Sequence, residues 1–79
     1  MFNVNVKLST VKDVQEFVKI CTRFDLVDID IISGRYIIDA KSIMGIFSLD
    51  LSKPLKLNIH MAKEDAAELL GALQRFIVE

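Results

Sequence analysis

Three kinds of side chain in this sequence could carry chemistry: one histidine, one cysteine and a pair of closely spaced carboxylates. His60 lies in a predicted strand, and it has no second histidine and no cysteine beside it to complete a metal site. We therefore expect it to be a surface or half-buried residue. Cys21 cannot form an internal disulfide, and free cysteines are usually buried. Asp28 and Asp30 alternate along one strand, and we interpret them as solvating that face rather than as catalysts.

The motifs that build common catalytic and cofactor sites are missing from the sequence. The three glycines are scattered, so they form no phosphate-binding loop of the Walker or dinucleotide type. No nucleophile, base and orienting group can be combined into a catalytic triad. We therefore predict that the protein is not an enzyme and that it uses no cofactor and no metal.

The length and charge of the chain restrict the classes of protein to which it can belong. We expect residues 1–79 to form one domain, and the 52% of hydrophobic residues supplies a core without a disulfide. The net charge of −1 gives no electrostatic reason to expect nucleic acid binding. Charged residues interrupt every apolar run well before the roughly 18 residues that a membrane span needs. With a lone cysteine and no signal-peptide pattern, a cytoplasmic location is expected.

The most informative segment is a short predicted helix over residues 42–50. Five apolar residues crowd into it, although such a helix has only one buried side. Three of them would remain as an exposed patch that suits a protein partner, namely Ile43, Met44 and Phe47. The alternative is a helix in which all five are largely covered. Ser42 stands at the N-cap, where serine is common without any function, and where a phosphate would also be tolerated.

The first predicted helix carries cations on one side. Lys12, Glu16, Lys19 and Arg23 follow one another at steps of three or four residues. The simpler interpretation is a solvated helix face. The alternative is a rim that docks an acidic or phosphorylated partner, because lysine and arginine pair well with carboxylate and phosphate.

Two periodicities predict the elements that position these residues. Alternation of apolar and polar residues predicts four strands, at residues 2–7, 26–32, 35–40 and 55–61. Helical spacing predicts three helices, at about 11–23, at 42–50 and from about Lys63 to Ile77. Because all three helices must cover an apolar surface, we predict an α+β fold, an open-faced sandwich. Its order is β-α-β-β-α-β-α, with three helices on one face of a four-stranded antiparallel sheet.

The segment Lys41-Ser42-Ile43-Met44-Gly45, followed by Ile46-Phe47-Ser48-Leu49, resembles a known motif. It is similar to the serine-site segment of HPr, the phosphocarrier protein of the bacterial sugar phosphotransferase system. The predicted order of elements is also similar to that of HPr. The resemblance covers essentially the whole chain and is concentrated in residues 41–49, and it implies the HPr fold.

The resemblance also implies a departure from the family at the phosphocarrier site. HPr carries phosphate on a histidine at the start of its first helix, within a Gly-x-His-x-Arg-Pro motif. Counting back without gaps from Arg23 places Thr10 at the histidine position and Lys12 at the arginine position, and the Gly and Pro are absent. The chain is thus similar to the catabolite-repression HPr-like proteins of Gram-positive bacteria, which lack the histidine and keep the regulatory serine.

In that class a kinase/phosphorylase modifies the serine, and the phosphoprotein then binds a transcriptional regulator. The resemblance therefore implies a regulatory protein that carries no phosphohistidine, is phosphorylated at Ser42 and binds protein partners rather than nucleic acid or membrane. Its docking residues would be Ile43, Met44, Phe47, Lys12 and Lys19. Two alternatives remain. One is a constitutive structural or interaction paralogue that uses the same patch, and the other is a small-molecule-sensing domain of similar architecture.

Overall fold

The structure, a computed structural model, describes residues 1–78 of the chain. This part of the chain contains five strands and three α-helices. The strands are β1 (Phe2–Val6), β2 (Ile29–Ser33), β3 (Tyr36–Asp39), β4 (Leu55–Ile59) and β5 (Ile77–Val78). The helices are α1 (Val11–Thr22), α2 (Ile43–Phe47) and α3 (Ala67–Leu73), and 3₁₀ turns lie at Lys63–Asp65 and Gln74–Phe76.

The strands form one antiparallel sheet in the order β3-β2-β4-β1-β5. β4 pairs with β1, where Val6 lies opposite Leu55, and with β2, where Ile31 lies opposite Leu57. The α+β class and the arrangement of helices against an antiparallel sheet are therefore confirmed.

The prediction of four strands is wrong, because residues at the end of the described chain form a fifth strand. Ile77 lies opposite Val6, and Val78 lies opposite Asn5. Helical spacing suggested that the last helix includes Ile77, but its backbone is extended, with φ −73° and ψ 131°. Two β-branched residues favour a strand, and the open edge of β1 offers hydrogen-bonding groups that a further helical turn would leave unpaired.

The last predicted helix is divided into three pieces. A 3₁₀ turn covers Lys63–Asp65, and Ala66, with φ −99° and ψ 11°, interrupts the helical backbone before α3 begins. The apolar stripe itself is correct, since Leu69, Leu73 and Phe76 are buried. The hydrophobic period therefore identified the side that packs inward but not the local type of helix.

Alternate strand residues and the inner sides of the helices meet in one apolar core. On the sheet, Ile31 and Leu57 are fully buried, as are Phe17 of α1 and Ile46 of α2. The ring of Phe17 meets that of Phe76 edge-on, with the centroids 6.0 Å apart. The ring thus anchors α1 in the core, and α1 contacts α2 directly.

The opposite face of the sheet is polar, as the alternation predicts. Asn3, Asn5 and Asp28 are exposed there, and Asp30 is half-buried. The Oδ2 atom of Asp30 lies 3.0 Å from Nε2 of His60, whose side chain is also exposed. The histidine and the aspartates therefore form part of a solvated surface.

The second strand begins later than the alternation suggests. Leu26 is 96% exposed, and the N–H of Val27 donates to the carbonyl of Phe24, so turns continue from the end of α1 until just before Ile29. Within residues 1–78, none of the helices has the length and apolar character that crossing a bilayer would require.

Candidate functional site

Ser42 begins α2 as its N-cap, which confirms the predicted position. Its backbone is extended, with φ −99° and ψ 100°, and its Oγ accepts a hydrogen bond of 3.2 Å from the N–H of Gly45. Its carbonyl accepts the first bond of the helix from the N–H of Ile46, at 3.1 Å. The hydroxyl therefore satisfies one of the N–H groups that every helix start leaves without a partner.

The chain approaches Ser42 through a tight turn that Asp39 closes. One carboxylate oxygen of Asp39 accepts from the N–H of Lys41 at 2.9 Å, and the Asp39 carbonyl accepts from the N–H of Ser42 at 2.9 Å. Aspartate often forms such local hydrogen bonds between its side chain and the backbone in turns. The turn therefore fixes the position of Ser42 relative to the end of β3.

Lys41 ties the same turn to the rest of the fold. Its Nζ donates to the carbonyl of Val27 at 2.8 Å and to the carbonyl of Asp25 at 3.3 Å. These carbonyls belong to the loop that joins α1 to β2. The ammonium group is therefore committed to backbone acceptors and does not extend into solvent beside Ser42.

Gly45 lets α2 approach β3 closely. A Cβ atom at this position would stand 2.6 Å from Cγ2 of Ile38 and 3.1 Å from Oγ of Ser42. Real Cβ contacts are not that short, so only glycine fits without movement of a neighbour. The glycine of the Lys41–Gly45 segment is thus required by packing between α2 and β3.

Three residues of α2 form an exposed apolar surface, which we call the α2 patch: Ile43, Met44 and Phe47. Ile46 is fully buried and holds the helix to the core, whereas 80% of Met44 is exposed. Ile43 and Phe47 are exposed to 36% and 42%. Of the two interpretations of this helix, the structure supports the exposed patch and not the covered helix.

Thr10 caps the start of α1. Its Oγ1 accepts from the N–H of Asp13 at 3.0 Å, and Oδ2 of Asp13 accepts from the N–H of Ser9 at 3.0 Å. Thr10 and Asp13 have the spacing of a capping box, but the carboxylate of Asp13 accepts from the N–H of Ser9, one residue before the N-cap, rather than from that of Thr10. The N–H of Ser9, with the N–H and hydroxyl of Thr10 and the nearby Arg75, holds the pKa of Asp13 below its usual value despite some desolvation.

Arg75 joins this cap from the far end of the chain, and sequence analysis missed it. Its guanidinium lies 3.9 Å from a carboxylate oxygen of Asp13 and 4.4 Å from the ring centroid of Phe76. The 3₁₀ turn before β5 brings it there. Placing Arg75 beside Asp13 requires the pairing of β5 with β1, and no local pattern in the sequence predicts that pairing.

Lys12 and Lys19 are both exposed on α1, and no ion pair involves them among residues 1–78. Seven residues correspond to nearly two helical turns, so they lie about 10 Å apart along one side of the helix. Since α1 and α2 contact each other, the lysines and the α2 patch belong to neighbouring helices. Thr10, however, lies at the N-terminal end of α1 and belongs to a separate group with Asp13 and Arg75.

Cys21 is a core residue, as expected. It is fully buried on the inner side of α1, and burial raises the pKa of its thiol to about 12. A thiol with that pKa holds almost no thiolate near neutral pH, and thiolate is the reactive form. Cys21 therefore belongs to the packing and not to the site.

Comparison with known proteins assigns the family. The family model described as the PTS HPr component phosphorylation site matches residues 11–79. The chain belongs to the HPr family. Its fold is also similar to the crystal structure of HPr-C-His from Thermoanaerobacter tengcongensis, with a TM-score of 0.73 and 27% sequence identity over 95% of this chain and 89% of that chain. No curated protein matches the chain.

Membership of the HPr family places the protein among the phosphocarrier proteins of the phosphotransferase system and their relatives. Proteins of the HPr family act by contact with other proteins. Within residues 1–78 of this HPr-like chain, the α2 patch and the lysines of α1 are exposed, and the capped serine beside the patch is half-buried.

Proposed function

We propose that this HPr-like protein is a regulatory binding protein of carbon catabolite control in the cytoplasm, phosphorylated at Ser42 and not competent as a phosphohistidine carrier. The observation that carries the proposal is the α2 segment: a capped serine directly beside an exposed apolar patch, in a chain of the HPr family.

The chemistry of Thr10 argues against a carrier role. A phosphocarrier histidine works because its ring nitrogen is nucleophilic and forms a labile phosphoramidate, whereas a threonine hydroxyl forms a stable ester. The Thr10 hydroxyl already caps α1 by accepting from Asp13. The only histidine, His60, contacts Asp30 on the polar face of the sheet.

The carrier role has a direct test. The protein is incubated with phosphoenolpyruvate and the general phosphotransferase of the system, and acid-labile phosphate is measured. We expect none, with a histidine-containing HPr as the positive control. Stoichiometric transfer to this chain would overturn the proposal that the carrier function is lost.

We expect a phosphate on Ser42 to be bound by a partner rather than by this chain. Phosphorylation adds about −1.5 to −2 charges at neutral pH. On Ser42 this charge would lie at the N-terminal end of α2, where the free N–H groups favour negative charge. Two local features oppose capture by the protein itself. The Lys41 ammonium is bonded to backbone carbonyls, and the carboxylate of Asp39 lies in the same turn. A basic group on a partner is therefore the better acceptor of this charge.

The α2 patch supplies the apolar part of the same contact. Met44 is the most exposed of the three residues, and methionine adapts to the shape of a partner. Lys12 and Lys19 on the neighbouring helix would pair with acidic groups at the rim of the interface. The partner we infer is thus a protein with an apolar pocket, a basic group for the phosphoserine and acidic groups for the lysines.

The role of the patch is tested with two variants of Met44. Met44→Glu puts a charge into the centre of the contact, whereas Met44→Leu keeps an apolar side chain of similar volume. Because Met44 is 80% exposed, both variants should fold like the parent. The Ser42-phosphorylated proteins are titrated calorimetrically against the transcriptional regulator that binds the phosphoserine form in this class of HPr-like protein. Met44→Glu alone should bind at least about tenfold more weakly than the parent. Equal affinities would remove the patch from the interface.

A constitutive interaction protein is the second candidate. One observation favours it: the patch is already exposed and Ser42 already caps its helix without any modification. The two functions differ in their response to charge at Ser42. A regulatory protein should lose binding in Ser42→Ala when kinase and ATP are present, and Ser42→Asp should restore part of it. A constitutive protein should bind equally well in both variants.

A further inference from the structure

β3 is an open edge of the sheet. It lies at one end of the strand order, and it pairs with β2 alone. Its side chains are unusually exposed for apolar residues, with Tyr36 at 67% and Ile37 at 69%. These two residues lie outside the α2 patch, and nothing in the proposed function uses them.

The backbone of β3 presents unpaired groups to solvent. The N–H of Ala40 donates to the carbonyl of Ile29, so Ala40 and every second residue before it face β2. Ile37 and Asp39 therefore point their backbone groups away from the sheet. The outward carbonyl of Asp39 is used by Ser42, but within residues 1–78 the outward N–H and C=O of Ile37 have no hydrogen-bond partner.

The edge has only part of the protection that usually keeps a strand from pairing with another chain. Such protection comes from proline, charged side chains, a bulge or a very short strand. β3 is short and ends on Asp39, but it has no proline and no lysine, and its other three residues are apolar or aromatic. The turn that leads into β3 is tight and regular, with Gly34 at φ 59°. An exposed, largely apolar and unpaired edge of this kind is a template for a further strand.

We propose that two copies of this chain pair antiparallel through β3. The register follows from the backbone and from charge. Only residues with outward groups can exchange hydrogen bonds, so Ile37 must lie opposite another outward residue. When it lies opposite the partner's Ile37, Arg35 lies opposite the partner's Asp39, and the two-fold symmetry repeats this charge pair on the other side.

A shift of the register by one pair removes this complementarity. With Ile37 opposite the partner's Asp39, Arg35 would lie opposite the partner's Lys41, whose ammonium is bonded to carbonyls of its own chain. Arg35 would then have no carboxylate opposite it, and both Arg35–Asp39 pairs would be lost. In the centred register Arg35 and Asp39 both find an opposite charge. Neither forms an ion pair within residues 1–78, and both are exposed. The centred register is therefore the one that pairs Arg35 with Asp39 on both sides of the two-fold axis.

The same register covers the exposed apolar residues. The two Ile37 side chains meet on the polar face beside Ile32, which lies opposite Ile37 in the β2–β3 pair. On the other face Tyr36 lies beside the partner's Ile38. The two five-stranded sheets become one sheet of ten strands, and the two-fold axis leaves the helices of both copies on the same side. Both Ser42 segments then face one direction.

Sedimentation equilibrium of the full chain tests the pairing over a range of concentrations. We expect the mass to rise from 8.9 kDa towards twice that value. Because the contact is a single short strand, the dissociation constant should be on the order of 100 μM. The dimer should weaken at high salt, since the Arg35–Asp39 pairs are exposed.

Three variants identify the edge. Ile37→Pro removes an outward N–H without touching the β2 ladder, and it should weaken the dimer about tenfold or more. Arg35→Glu should weaken it as well, whereas Arg35→Lys, which keeps the positive charge, should not. Lys53→Glu, an equal change of charge in an exposed loop, is the matched control and should have no effect.

The outcomes that overturn the proposal are equally specific. A chain that stays monomeric up to about 1 mM does not pair through this edge with useful affinity. A dimer that survives Ile37→Pro, with circular dichroism showing an intact fold, uses another surface. Association of Arg35→Glu as tight as that of the parent would remove the centred register.

Discussion

Gly45→Ala should destabilise this protein, although the same change in most helices stabilises. Replacing a helical glycine by alanine ordinarily gains about 0.5–1 kcal/mol from reduced freedom of the unfolded chain. At Gly45 the new Cβ would lie 2.6 Å from Cγ2 of Ile38 and 3.1 Å from Oγ of Ser42. Ile38 is β-branched and stiff at χ1, so relief requires movement of α2 away from β3. Overpacking of this kind costs about 1–3 kcal/mol.

We therefore expect a net loss of about 1–2 kcal/mol in the free energy of unfolding, measured by urea denaturation. Gly71→Ala in α3 is the matched control, because no atom lies within 4 Å of its new Cβ. It should gain about 0.5–1 kcal/mol, so the two midpoints move in opposite directions. If Gly45→Ala is as stable as the parent, the close packing of α2 on β3 is not what requires glycine there.

Three further changes have defined outcomes. Cys21 should react with a thiol reagent at about pH 8 only after unfolding, because burial raises its pKa to about 12; prompt reaction of the native protein would refute its burial. The lowered pKa of Asp13 makes its contribution to stability present above the unfolded pKa and lost as pH falls through the folded pKa. Asp13→Asn should therefore flatten the fall in urea midpoint between about pH 5 and about pH 2, and an unchanged slope would contradict this. Phe17→Ala should cost about 3–5 kcal/mol by thermal or urea unfolding, and a loss below about 1 kcal/mol would mean that the ring does not anchor α1.

Most of the fold could be predicted from the sequence because its signals are local. The first helix begins after Thr10 since that side chain caps it, and Ser42 begins α2 for the same reason. Alternation correctly separated the buried from the exposed residues of β1 and β4. Each of these features depends on neighbours within four positions along the chain.

What could not be predicted depends on contacts between distant residues. β5 exists because β1 has an open edge, and Ile77 alone carries no sign of that edge. Arg75 reaches Asp13 only after β5 has formed. The requirement for Gly45 likewise comes from Ile38 on another element. The serine of the candidate site was found through the family resemblance, whereas its exposed neighbours became certain only when the packing of α2 was known.

Phosphorylation of this HPr-like chain at Ser42 is measured by site-localised mass spectrometry after incubation with the family's serine kinase and ATP. We predict one acid-stable phosphoryl group on Ser42, absent in Ser42→Ala. It should remain in Ser48→Ala, the control for the neighbouring serine, whose hydroxyl donates to the carbonyl of Gly45. An unmodified Ser42 under conditions in which an HPr control is fully phosphorylated would show that this chain is not regulated through that serine.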